Sequence, residues 1–75
     1  MIILSSKFER SYAAHRRLFN KANYGPNTLK SNISYCYHAY CINDMDKKKR
    51  VLTQVEKREN YNHAKSRAYD MTYGG

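Results

Sequence analysis

The chain has 75 residues and carries 14 Lys and Arg against 6 Asp and Glu, a net charge of +8; this is enough chain for one domain, and at this size only roughly 60% of the unfolded surface becomes buried. Four Leu, four Ile, two Val and two Phe make a thin aliphatic core, so folding is expected to lean on a partner or on a homo-oligomer. No apolar run approaches the roughly 18 residues that a membrane span needs, the apolar start at residues 1–4 breaks at Ser5 and gives no signal peptide, and two cysteines cannot build a disulfide framework. The expectation is a cytoplasmic protein that does not span a membrane; a basic amphipathic membrane binder is a third and weaker reading, because the stripe of the first helix is rich in Tyr and His rather than Leu and Trp.

The first predicted element is a helix over residues 6–23. Ser5 or Ser6 supplies a hydroxyl for its free N-terminal amides, and Phe8, Tyr12, His15, Phe19 and Ala22 recur at spacings of four and three, with Leu4 extending the stripe backwards. Lys7, Arg10, Arg17 and Lys21 fall on the opposite side, the segregation of an amphipathic helix. Tyr24, Gly25, Pro26 and Asn27 then end it, Gly25 by allowing a left-handed cap and Pro26 by refusing to continue a helix.

A second helix is predicted over residues 31–43, beginning near Thr28 or Ser31. Ile33, Cys36, Tyr37, Tyr40 and Cys41 occupy one side, and Tyr35, Ala39 and Ile42 lie roughly opposite. Apolar groups on both sides suit the central helix of a bundle; the Tyr and Ile content also suits a strand. The third and longest helix is predicted over residues 45–69, opened by Asn43, Asp44 and Asp46. Its first half has a stripe of Met45, Leu52 and Val55, while Tyr61, Ala64, Ala68 and Met71 form a different stripe on nearly the opposite side. A switch of that kind predicts a distal half that protrudes or kinks, followed by a tail at residues 70–75. The fold class expected is therefore all-α, a small three-helix domain with a long, partly protruding C-terminal helix.

Between Ser11 and Asn43 there is no Asp or Glu, yet the stretch holds Arg16, Arg17, Lys21, Lys30, two histidines and five tyrosines. Uncompensated charge of one sign costs self-repulsion, and an anion laid against it relieves that cost. Arg10, Arg16, Arg17, Lys21 and Lys30, interleaved with Tyr12, Tyr24, Tyr35 and Tyr37, have the composition of a nucleic-acid surface in which cations meet phosphates and rings stack on unpaired bases. Lys47, Lys48, Lys49 and Arg50 add a second cluster; at the start of the predicted third helix they would sit against its positive end, a mismatch that an external anion would relieve.

Other constellations are weaker. Cys36, His38 and Cys41 invite a zinc reading with His15 or His63, but residues five apart lie about 140° apart on a helix, and structural zinc pairs sit on tight turns. No metal or other cofactor is expected. The run from Ala22 through Gly25 to Ile33 approximates a helix-turn-helix that would aim Asn32, Ser34, Tyr35 and His38 at bases, but its turn is too long. No catalytic motif has workable spacing, and three glycines, two of them at residues 74 and 75, make no phosphate-cradling loop. The expected function is non-enzymatic binding of nucleic acid through a Lys/Arg/Tyr surface. The alternative is an effector or inhibitor of the phage type, using Tyr61, Ala68, Tyr69 and Met71 to dock on an acidic patch of a host protein; the heavy use of Asn, Lys, Tyr and Ile fits an AT-rich phage coding sequence.

Overall fold

In the computed structural model, which describes residues 7–74, the chain forms three α-helices: α1 (Lys7–Asn23), α2 (Leu29–Lys48) and α3 (Gln54–Tyr73). No strand occurs among the described residues, so the β-strand alternative for the second element is set aside and the domain is all-α. The predicted stripe of α1 is its half-buried side: Phe8, Tyr12, His15, Phe19 and Ala22 are partly covered, and no residue of α1 is fully buried. The cap assigned to Ser5 or Ser6, and Leu4, lie outside the described residues.

Helix α1 does not end through a left-handed glycine. No glycine among the described residues has positive φ; instead the Tyr24 N–H donates to the Asn20 carbonyl at 3.3 Å and the Gly25 N–H to the Ala22 carbonyl at 3.1 Å, and Pro26 blocks continuation. Thr28 then caps α2, its Oγ1 accepting from the Ser31 N–H at 3.2 Å. That cap places the start of α2 at Leu29, two residues ahead of the predicted position 31.

The boundary between the second and third helices also moves. Asn43, Asp44 and Asp46 do not open a helix; α2 runs through them to Lys48, because Cys41 and Met45, four apart and both fully buried, continue one core stripe across the predicted break. Lys49 stops the helix in the left-handed conformation, φ 57° and ψ 37°, with its N–H on the Met45 carbonyl at 2.8 Å. Lys47 to Arg50 therefore stand at a negative helix end, where cations are favourable, and the predicted clash with a positive end does not arise. Helix α3 begins only after Thr53, in a capping box: Thr53 Oγ1 accepts from the Glu56 N–H at 3.2 Å and Glu56 Oε1 accepts from the Thr53 N–H at 2.9 Å. It continues through most of the predicted tail to Tyr73, where the Gly74 N–H closes on the Asp70 carbonyl at 2.9 Å.

Helix α2 is the middle element. Both α1 and α3 pack on it, and they have no backbone contact with each other. Met45, Cys41 and Leu52 form the core at the α2–α3 connection, with Phe8 and Tyr12 of α1 and Tyr37 packed around them. The distal half of α3 lies along α2: Ala64 and Ala68 are fully buried, and such small side chains permit close approach of the two backbones. At the far end Asn32, buried on α2, donates through Nδ2 to Asn27 Oδ1 at 2.9 Å and to Thr72 Oγ1 at 2.7 Å, tying the end of α3 to the start of α2. The Ala64 and Ala68 stripe that suggested protrusion is the face that docks.

Replacing Asn32 by Leu removes both hydrogen bonds from this closing contact and should cost about 1–3 kcal/mol. Urea denaturation should show a lower midpoint with an unchanged m-value; a midpoint equal to that of the native chain would contradict the assignment.

Candidate nucleic-acid interface

With α1 and α3 on separate flanks of α2, part of the α2 surface is left as the floor of an open groove. Between α2 and α3 this groove measures about 630 Å³ and is lined by Lys30, Ser34, Tyr37 and His38 from α2 and by Lys57, Arg58 and Tyr61 from α3, among others. A second depression of about 380 Å³ between α1 and α2 contains Leu18, Lys21, Lys30 and Ser34. Lys30 and Ser34 of α2 border both. No acidic residue lines either one, so Lys21, Lys30, Lys57 and Arg58 project their charge onto this face without a carboxylate between them.

Of the cations singled out from the sequence, the fold brings Lys21 and Lys30 together in the groove. Arg10, Arg16 and Arg17 are exposed along α1, outside the groove lining. The second cluster is divided. Glu56 takes a two-pronged contact from Arg50, whose Nη1 reaches Oε1 at 2.8 Å and Nη2 reaches Oε2 at 2.9 Å, and it also pairs with Lys48. Arg50, Lys48 and the Thr53 N–H together hold the Glu56 carboxyl far below the usual range. Lys49 borders a hollow that contains Glu9 and Asp46, and Lys47 is exposed. This cluster is in large part an internal charge network that fixes the turn into α3, rather than four cations turned to one ligand.

Lys57 and Arg58 were not anticipated. Their signal was local: with Tyr61 they make a basic-aromatic triplet spanning one helical turn. Recognising it required the Thr53-Gln54-Val55-Glu56 capping box, which sets the start of α3 and hence its direction along α2.

Tyrosine and histidine form the groove's rigid part. The Tyr37 ring stands nearly perpendicular to Tyr61, centroids 6.0 Å apart at 73°, and to His15 at 5.9 Å and 74°. Burial first, and then the Cys41 thiol to which it hydrogen-bonds, push the Tyr37 phenol up to about 12, so the ring is held neutral. His15 on α1 and His38 on α2 face each other with Nδ1 atoms 2.7 Å apart. One nitrogen must donate and the other accept, which fixes complementary tautomers. Burial lowers both histidines; the nearby Lys57 adds to the effect on His15 and the neighbouring His15 to that on His38, which falls to about 4.

The residues proposed for protein docking do not share a face. Ala68 is core, Tyr61 belongs to the groove, and Tyr69 and Met71, both partly exposed, are two positions apart and so project about 200° from each other around α3. The helix-turn-helix assignment fares no better, because Asn32 and His38 point inward. Cys36 lies against the Met71 sulfur at 3.4 Å and Cys41 against Asn60 at 3.7 Å; no group of three metal-binding side chains forms among the described residues. No helix among them is long and apolar enough to cross a membrane. Comparison with protein-family models, curated proteins and solved structures gives no match.

The histidine pair predicts acid sensitivity. With His38 lowered from 6.5 to about 4, the unfolded chain binds more protons than the folded one between those values. Stability is therefore highest above pH 6.5 and declines as the pH falls toward 4. The stabilising contribution of the Glu56 ion pairs is lost as the pH falls through the ordinary carboxylate range and below it, so the interval between 6.5 and that range reports the histidines. Urea midpoints should fall across it in the native chain and fall less steeply in His38→Phe, in which the lowered His15 remains.

Proposed function

We propose that the protein is a non-enzymatic nucleic-acid-binding protein that holds the phosphate backbone along the groove formed by the three helices. One observation carries this reading: four cations, Lys21, Lys30, Lys57 and Arg58, border two neighbouring depressions that no carboxylate lines, one of which exposes tyrosine rings. Cations gathered in a concave site focus their field, and a polyanion recovers the cost of that crowding by releasing its own counterions. The exposed Arg10, Arg16 and Arg17 extend the positive surface along α1, where they would strengthen association without defining register.

The docking-effector alternative has less behind it, since its anchor residues are split between the core, the groove and opposite flanks of α3. Interface anchors act when clustered in one desolvated patch.

Fluorescence anisotropy of labelled oligonucleotides at roughly 50 and 200 mM salt tests the reading, because phosphate contacts impose a steep dependence of affinity on salt. Changing Lys30, Lys57 and Arg58 together to Glu should reduce affinity at least a hundredfold with the helical circular dichroism unchanged. Changing Arg10, Arg16 and Arg17 should have a smaller effect. Equal affinity of the groove variant and the native chain, or no binding by the native chain at the lower salt, would overturn the assignment.

A further inference from the structure

We infer that the groove takes a short run of unpaired nucleotides rather than a duplex, with a base stacked on Tyr61 and the flanking phosphates held by Lys30, Lys57 and Arg58. This rests on the nucleic-acid reading above and adds the form of the ligand. Three features of the site carry it.

The first is shape. A helix that reads duplex DNA must project so that it can enter the major groove. The element that floors this site is α2, flanked by α1 and α3, and the basic surface is a shallow depression rather than a projecting helix. A single strand, with its flexible backbone and exposed bases, can follow such a surface more closely than a stiff duplex can. The open depression of about 630 Å³ has the scale of one or two nucleosides.

The second is the aromatic arrangement. Tyr61 is 44% exposed, yet its ring is braced by the perpendicular Tyr37 ring, which is fixed in turn by His15 and by its hydroxyl on Cys41. A braced, solvent-facing ring loses little freedom when a base covers it, and stacking of this kind accepts any base. Duplex bases are already stacked on each other and offer no face to Tyr61.

The third is the placement of charge relative to that ring. Lys57 and Arg58 lie four and three residues before Tyr61 on the same helix, within one turn of it, and Lys30 lies on α2 within the same groove. Cations around a central ring match a nucleotide whose base sits at the centre and whose phosphates flank it.

The test compares a fluorescein-labelled 12-nucleotide oligo-dT and an oligo-U of the same length with a 12-base-pair duplex, at about 100 mM salt. The single strands should bind at least tenfold more tightly than the duplex. Tyr61→Leu should weaken single-strand binding roughly tenfold or more and leave duplex binding within twofold, whereas Tyr61→Phe, which keeps the ring, should bind the single strands as the native chain does. Duplex binding as tight as single-strand binding, or a Tyr61→Leu variant with native affinity for the single strands, would overturn the inference while the Lys30, Lys57 and Arg58 reversal still tested the broader reading. Binding of a poly-Glu peptide with no binding of any oligonucleotide would overturn both.

Discussion

Every backbone contact between helices in this fold involves α2, because α1 and α3 each pack on it and have no backbone contact with each other. A helix in that position must be acceptable on two flanks at once, and with so few aliphatic residues in the chain the covering is done by other means. Cys36, Cys41 and Met45 supply small or flexible sulfur side chains, and Asn32 and His38 are buried with their polar atoms paired. The result is a core whose specificity comes from hydrogen bonds on its two flanks as much as from apolar contact. Asn32 with Thr72 sets the position of α3 on one flank; His15 with His38 sets that of α1 on the other.

The short connection after α2 has an equally large effect on the site. Lys49 adopts a left-handed conformation that costs energy for a residue with a side chain, and Glu56 offsets that cost by accepting from Arg50, Lys48 and the Thr53 N–H together. Because Glu56 is also the third residue of α3, the same carboxylate that tightens the turn fixes the start of the helix. Moving that start by a few residues would rotate Lys57, Arg58 and Tyr61 away from the groove, since each residue adds about 100°. The charged cluster in the turn therefore serves the ligand surface indirectly, by setting the phase of α3.

Those two devices together explain the open groove. With the flanking helices held apart across α2, its Lys30, Ser34 and Tyr37 side is left uncovered over part of its length. A thin core is a weakness for stability.

Much of this was legible in the residues alone. The amphipathic period of the first helix identified its partly buried stripe, Gly25 and Pro26 marked its end, and the two-sided character of residues 31–43 suited a central helix, though it also suited a strand, because these are local properties read from short-range periodicity. Charge balance located the acid-free stretch that supplies Lys21 and Lys30. The second boundary failed for a physical reason: Asn43, Asp44 and Asp46 are good cap residues, but the buried pair of Cys41 and Met45 outweighs them and carries the helix past, and only tertiary contact shows that burial. Which of two apolar stripes on the last helix docks, which cations face one another, and which pair off with Glu56 likewise depended on the direction and phase of α3 against α2. The sequence by itself determined three helices, their approximate order of burial and an excess of positive charge. The tertiary structure alone decided where that charge converges, because convergence is a relation between residues about 30 apart in the chain, and no local pattern encodes it.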